Sequence, residues 1–396
     1  MAGVLRRWWV QVLLVLIASR IVSTAILLIY AANQVASPWA AAHPDLVAFS
    51  SFWDADWYLR IVAYGYPGEL PLDDEGRVTE NSWAFMPAYP YLVASISWLL
   101  AVPFRLIAVI VSFCFAGAAA FVYYRLFRQW LPHRGALGAI AVILFNPVSP
   151  ILQVGYAESM HFFLLGLALL LLVRRRYVAL LPVIVLMSFT RPTGLAFALT
   201  LAIHFVLRWR DHRRGTDPFP AREVLEVIVA GVLSAVCGLA WAGIAALVTG
   251  QPDAYLATEL AWRRGYIGDG ELVPFAPWLL GAGWWASWWG WPAWAGVAGL
   301  VVVLGLVALA LCSPWMRRLG VDLRIWVAAW FVYLLAVFFP QSSTWRLLLP
   351  AAPALGALAV PRSRWIVPVA IALGIVGQWF WVAGMWAWAD GDWSPP

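Results

Sequence analysis

The sequence predicts an all-α integral membrane protein with about eleven spanning helices. Three observations predict it. Of the 396 residues, 63% are apolar and only 12% are charged; the mean hydropathy is +0.80; and long apolar runs recur along the chain. Soluble domains are about 45–50% apolar and about 25% charged. Apolar surface in this excess cannot all be hidden in the core of one chain, so lipid must solvate much of it.

A bilayer-spanning helix takes about 20 mostly apolar residues. The runs that read as spans are 8–30, 104–124, 136–153, 160–173, 177–190, 194–208, 223–249, 293–312, 323–340, 347–360 and 365–386. Several are short, as expected of helices broken beside functional cavities. The first follows Arg6 and Arg7 like a signal sequence, but its length and the lack of a small-residue cleavage site make it a retained anchor. Residues 85–101 are apolar enough to span, yet Pro87 and Pro90 interrupt helical bonding. Counting this segment as a span would move Arg125, Arg128 and Arg134 to the other side, so it is expected as an interfacial or re-entrant helix on the outer surface.

All 26 basic residues are arginine. With the N-terminus in the cytoplasm, 18 of them fall in inner loops: Arg6 and Arg7; Arg125, Arg128 and Arg134; Arg174 to Arg176; Arg208, Arg210, Arg213, Arg214 and Arg222; Arg317, Arg318 and Arg324; Arg362 and Arg364. Only five of the 20 acids do: Asp211, Asp217, Glu223, Glu226 and Asp322. Arginine in short loops marks the cytoplasmic side, so the expected location is multi-pass in the cell membrane. Residues 1–249 form a main transmembrane module that includes the long outer loop 31–103. Residues 250–292 form a second, Trp-rich outer loop, and 293–396 supply the C-terminal helices. Loops this long are functional or disordered, and their mixture of aromatic and charged residues argues against disorder.

Composition also excludes classes of function. The arginines are dispersed over short loops, so the pI near 9.4 does not imply nucleic acid. Cys114, Cys237 and Cys312 stand singly in apolar runs, without metal-ligand spacing or a disulfide framework. No Gly-rich phosphate loop occurs, which argues against an ATP-driven pump, and no metal site or other cofactor is expected.

The stretch from Ser51 to Ile61, SFWDADWYLRI, concentrates the candidate chemistry. On a helix Asp56 and Arg60 stand at i,i+4 and can pair. Asp54 lies about 200° round the helix, beside Trp57 and Tyr58, with no evident partner. It reads either as a capping-box carboxylate answering Ser51 or as a general base at the membrane face. Glu158 sits at the outer end between two spans, as a water-exposed turn residue or a functional acid at membrane depth. His161, one residue into the next span, reads as a packing or a catalytic histidine. Arg191 and Arg346 fall on the outside, where arginine is disfavoured. They either snorkel to lipid head groups or grip phosphate oxygens in a fork. Arg20, within the first span, shares that ambiguity. The tryptophans at 284, 285, 288, 289, 291 and 294 read as an interfacial belt or as a sugar-stacking platform.

Several motifs bear a family likeness. Trp53-Asp54-Ala55, Ile61, Gly65-Tyr66 and Phe85-Met86-Pro87-Ala88-Tyr89-Pro90 resemble the first outer loop of the PIG-V mannosyltransferases and their bacterial relatives. Tyr156-Ala157-Glu158-Ser159 is similar to the family's Tyr-Ser-Glu-Ser, Arg191-Pro192-Thr193-Gly194 to its Arg-Ser-Asn-Gly, and Arg346 stands in an Arg-Leu-Leu-Leu-Pro. Met86, Ala88, Ala157, Pro192 and Thr193 depart from the pattern. The resemblance implies a GT-C fold with the active site at the first outer loop. It implies an inverting transfer of a sugar, usually mannose, from a polyprenyl-phosphate donor to a glycolipid or glycan acceptor. Asp54 would be the base, with Asp56, Tyr58, Glu158 and His161 in support and Arg191 or Arg346 on the departing phosphate. Other readings are a transporter or lipid flippase, an envelope scaffold, and a GT-C enzyme that moves another sugar or acts on protein.

Overall fold

In the computed structural model, which describes residues 7–389, the chain is α-helical. The one β-type pairing among the described residues is an isolated bridge between Leu72 and Val78. The helices are α1 (Trp8–Asn33), α2 (Asp54–Tyr64), α3 (Ala88–Leu100), α4 (Phe104–Phe127), α5 (His133–Leu144), α6 (Glu158–Val173), α7 (Tyr177–Ser188) and α8 (Gly194–Arg213). They continue with α9 (Ala221–Thr249), α10 (Ala254–Ala261), α11 (Ala276–Trp288), α12 (Ala293–Cys312), α13 (Val321–Val337), α14 (Thr344–Leu347) and α15 (Ile366–Trp381), joined by shorter turns. Arg6 and the last residues of the segment 293–396 lie outside the described residues.

Each of the eleven apolar runs is wholly or partly helical, and this is an α-helical membrane protein. Five helices among the described residues are long and apolar enough to cross a bilayer: α1, α4, α9, α12, and α15 with the π-turn that extends it to Trp386. The other six runs fold as helices that are shorter or carry charge. The run 136–153 departs most from expectation. Its helix α5 stops at Leu144, and a 3₁₀ turn follows over Ser149–Gln153. Pro147 has no N–H to continue the ladder, and the freed carbonyls find Arg20 of α1. Its Nη2 donates to the Leu144 carbonyl at 3.1 Å and its Nη1 to the Ser149 carbonyl at 3.0 Å. Arg20 is thus a buried cap on a helix C-terminus, where a cation is favoured, and it does not snorkel. The run 347–360 is a 3₁₀ helix, Leu349–Ala359, because Pro350 and Pro353 deny it i→i−4 bonds.

The segment 85–101 gives helix α3, only 13 residues and about 20 Å long. Pro90 falls in its first turn, where no helical N–H is lost, so the prolines start this helix instead of breaking it. The Ala88 N–H donates to the Phe189 carbonyl at 3.0 Å, and the Tyr89 hydroxyl to the Ala108 carbonyl at 2.9 Å.

The ends of the bundle sort as the loop alternation requires. At one end Arg175 pairs with Asp217 at 2.5 Å, Arg208 with Glu223 at 2.8 Å, and His204 with Asp322 at 2.6 Å. At the other end the two long loops pack on each other. Asn81 Nδ2 donates to Thr258 Oγ1 (3.0 Å) and Arg264 Nη2 to the Val78 carbonyl (3.0 Å), while the Trp241 indole of α9 donates to the Trp83 carbonyl (2.9 Å) and anchors the first loop.

Helices α8 and α9 touch through glycine. A Cβ on Gly238 would lie 2.7 Å from the Leu195 amide nitrogen, and the Ser234 hydroxyl donates to the Gly194 carbonyl at 2.7 Å. Gly238→Ala should therefore cost about 1–3 kcal/mol by forcing the pair apart. Gly243→Ala on the same helix meets nothing within 4 Å and should stabilise it by about 0.5–1 kcal/mol. Unfolding in one detergent measures both, and equal shifts would exclude this close-packing account.

Candidate active site

The site begins with a strained residue. Trp53, immediately before α2, has φ +57° and ψ −120°, a conformation that costs a bulky L-residue about 1–3 kcal/mol. Tertiary contacts hold it there. Its indole donates to the Trp386 carbonyl at 2.8 Å, and its ring packs on Trp39 at 4.5 Å and Trp388 at 5.7 Å. The Trp386 indole in turn donates to the Phe49 carbonyl at 3.1 Å. The sharp turn makes Asp54 the first residue of α2 and carries it inward. Its amide donates to the Tyr156 hydroxyl at 2.9 Å. No capping box forms with Ser51, whose hydroxyl donates to the Val47 carbonyl.

Four charges from four distant segments meet here. Asp54 Oδ2 accepts a hydrogen bond from Arg346 Nη1 and lies 3.5 Å from Arg191 Nη2. Arg191 Nη2 also donates to Glu158 Oε1, which is 3.5 Å from Arg346 Nε. The side chains of Asp54, Glu158, Arg191 and Arg346 are 9%, 6%, 15% and 9% exposed. The Arg346 guanidinium lies over the Tyr156 ring, 5.3 Å from its centre. Two carboxylates and two guanidiniums make a neutral set, which is what allows it to be buried. Burial opposes the charge on Arg191, but Glu158 and Asp54 with the nearby phenols outweigh it and raise its pKa.

The set is not saturated. Glu158 Oε2, Arg191 Nε and Arg346 Nε are buried without a hydrogen-bond partner. A buried polar atom left so costs about 1–3 kcal/mol and calls for a specific explanation. Oxygen atoms of a bound anion would satisfy the two guanidinium nitrogens. Among the described residues, no three His, Cys, Asp or Glu side chains come together as metal ligands.

The remaining candidates fall around this centre. Asp56 pairs with Arg60 at 2.8 Å, as the spacing predicts. Tyr58 is buried with its ring against Phe85, Tyr89 and Tyr156. Burial raises its pKa, so the phenol stays a proton donor, within electrostatic reach of all four charges. His161 is buried one turn along α6 with Nε2 3.2 Å from Thr193 Oγ1, beside the set and not in it.

One expectation is overturned, the lack of a partner for Asp54, and one alternative is removed for each of Glu158, Arg191 and Arg346. Asp54 does have partners, but 137 and 292 residues away, beyond any helical spacing. Glu158 is not a water-exposed turn residue. Arg191 and Arg346 turn inward to carboxylates, so neither snorkels. Trp288, Trp289, Trp291 and Trp294 are exposed, as a belt requires. Sequence reasoning missed the parts played by Tyr156 and Trp53, although both stand in the motifs it singled out. It also missed Glu259 of α10. This half-buried acid, with its pKa raised by burial, lies within electrostatic reach of Tyr255, Arg263 and Arg191. A lone loop carboxylate carries no spacing signal.

No family model matches the chain, and no curated protein matches its sequence. Among solved structures it is similar to the oligosaccharyltransferase of Archaeoglobus fulgidus tethered to an acceptor peptide. The identity is 15% and the TM-score 0.45, over 98% of this chain and 56% of that one. It is also similar to the archaeal oligosaccharyltransferase AglB of the same organism, in complex with an inhibitory peptide and a dolichol-phosphate. There the identity is 14% and the TM-score 0.45, over 96% of this chain and 56% of that one. The chain thus spans little more than half the length of either, and a likeness at this level fixes neither fold nor activity.

The pairing separates the two aspartates energetically. Asp54→Asn leaves a buried guanidinium short of its partner and should cost about 3–5 kcal/mol. Asp56→Asn breaks a pair whose arginine is 56% exposed and should cost about 0.5 kcal/mol. Asp54→Asn with Arg346→Gln should recover part of the larger loss. Thermal unfolding of the three variants in one detergent measures this, and equal costs for the two single changes would exclude the buried network.

Proposed function

We propose that the chain is an inverting glycosyltransferase with a GT-C-type fold. It would move a mannose from polyprenyl-phosphate-mannose to a lipid-linked or cell-envelope glycan acceptor at the outer face of the membrane. One observation carries this reading: Asp54, Glu158, Arg191 and Arg346 come from four separate motifs of the PIG-V-like resemblance and converge in a single buried set. On this reading residues 1–249 supply the base and Arg191, 250–292 cover the site, and 293–396 supply Arg346.

The mechanism follows from the charges. The donor is a phosphodiester carrying one negative charge. Its phosphate oxygens would compete with Asp54 and Glu158 for the two guanidinium forks, reaching the Nε donors that now lack partners. As Arg346 turns to the phosphate, Asp54 is released from its ion pair and can accept a proton. The acceptor hydroxyl oxygen then attacks C1 of the sugar from the face opposite the phosphate. The C1–O bond to phosphate breaks, the hydroxyl proton passes to Asp54, and polyprenyl phosphate leaves with its charge held by arginine. A positioned base contributes about 10²–10⁴-fold, and one charge-stabilising donor about 10²–10³-fold. Glu158 retains Arg191 when Asp54 changes partner, and Tyr58 offers a proton-bearing hydroxyl beside the reacting atoms. No metal is needed in this scheme.

The test is transfer of radiolabelled mannose from polyprenyl-phosphate-mannose by purified protein in lipid, with an envelope-lipid extract as the acceptor pool. Wild type should yield a labelled product, unaffected by chelator. Asp54→Asn, compared per unit of folded protein, should lose at least about 10²-fold in turnover while still binding donor. Arg346→Gln should weaken donor binding, and Arg346→Lys should restore it in part. Donor binding without transfer to any envelope lipid would exclude this acceptor class. Neither binding nor transfer, with other polyprenyl-linked sugars also inert, would exclude the transferase reading.

A further inference from the structure

An open groove with polar and aromatic walls lies at the other end of the bundle. Ser112 of α4 donates to the Tyr156 carbonyl at 3.0 Å, beside the four-charge set. The same helix then runs away from it to Phe127, so Arg128 stands about 24 Å along the axis from Ser112. There Arg7, Trp8, Trp9, Tyr124, Arg128 and His133 line a shallow, open groove of about 520 Å³. Its level is set by α1 and α4, both long and apolar enough to cross a bilayer. The groove is where one enters and the other leaves the apolar layer.

The corner is rich in unpaired positive charge. Arg7, Arg125, Arg128 and Arg134 gather here, while residues 1–44 and 81–157 contain no Asp or Glu. None of the four arginines is in a salt bridge among the described residues. At the same end Arg175 and Arg208 are balanced by Asp217 and Glu223, whereas the exposed Arg213 and Arg214 are also in no salt bridge among the described residues; the aromatic wall beside the arginines is what sets this corner apart. The walls are also held in place. Trp8 stacks on Tyr124 at 5.1 Å with 6° between the rings, and the Arg125 guanidinium lies over Trp8 at 5.4 Å. Arg128 Nη1 donates to the Leu131 carbonyl at 2.7 Å, which orients its fork. His133 is fixed on both nitrogens, by the Tyr124 hydroxyl at 2.7 Å and by Gln11 Oε1 at 2.5 Å. An uncompensated arginine pair over an aromatic floor, at head-group depth, suits one phosphate with two apolar tails below it.

We propose that this groove binds the head group of an anionic phospholipid, with Arg7 and Arg128 on the phosphate and Trp8 and Trp9 at the glycerol level. This does not depend on the glycosyltransferase reading. The contrary view is that these arginines only orient the chain in the membrane and any lipid contact is diffuse.

The full-length protein in a neutral detergent, titrated with phosphatidylglycerol or with phosphatidylcholine of the same chains, distinguishes the two. Native mass spectrometry counts the lipids retained. One phosphatidylglycerol should bind in preference to phosphatidylcholine. Arg7→Gln with Arg128→Gln should weaken it about thirtyfold, at roughly a factor of five per arginine. Arg213→Gln with Arg214→Gln, which removes the same charge from an exposed stretch at the same end, should leave it within about twofold. Equal losses from the two pairs, graded binding of several lipids without a preferred first one, or displacement by millimolar inorganic phosphate would each overturn the proposal. The wild-type count and preference decide the matter even if the groove variant fails to fold.

Discussion

The structure turns on the buried contact of two carboxylates with two guanidiniums. Two unit charges about 4 Å apart interact by roughly 4 kcal/mol at the effective dielectric of a protein interior. Taking each out of water costs several kcal/mol. The set is tolerable only because all four members are present and close, so four stretches of chain must arrive together. Asp54 comes from the first long loop, Glu158 from the start of α6, Arg191 from the α7–α8 turn and Arg346 from α14. Removing any one leaves the others charged, buried and mismatched.

The surroundings serve that placement. The strained turn at Trp53 aims Asp54 inward, and the cost is offset by tryptophan packing from the far end of the chain, at Trp386 and Trp388. Gly155 lets the segment before Glu158 lie against the first loop. A Cβ there would come within 3.2 Å of Ala108 Cβ and 3.4 Å of the Ser50 carbonyl, which already accepts the Gly155 N–H at 2.9 Å. Tyr156 then does two things at once, receiving the Asp54 amide and lying under the Arg346 guanidinium. The loops 31–103 and 250–292 close over the same end and bring Glu259 within reach of Arg191.

Arg20 shows the other way to keep an arginine away from water. Its donors meet the carbonyls of Leu144 and Ser149 and the Ser149 hydroxyl, at a helix end where partial negative charge accumulates. Every donor nitrogen of that guanidinium has a hydrogen-bond acceptor. In the Asp54 set, by contrast, both Nε atoms and one Glu158 oxygen lack a partner. An unmet donor by itself does not mark a site, since Arg208 Nε at the opposite end is also buried without a partner. What sets the Asp54 set apart is that two unmet guanidinium nitrogens and an unmet Glu158 oxygen share one cluster of four charges, and the proposed function is placed there for that reason.

What depends on near neighbours was legible in the order of residues. Apolar runs fixed where helices lie, because a backbone in lipid must satisfy its own hydrogen bonds. The i,i+4 spacing fixed the Asp56–Arg60 pair, and the arginine distribution fixed which loops share an end. Four short motifs also singled out Asp54, Glu158, Arg191 and Arg346, but as separate candidates with no stated relation. That these four touch, that Arg191 and Arg346 point inward, and that Arg20 caps the break after Leu144 emerge from the folded chain. It alone decided that the two long loops pack together and bring in Glu259. Each of these is a contact between residues far apart in the chain. Periodicity and composition report which face of a segment is apolar, whereas the partner of a buried charge is set by how the segments are stacked.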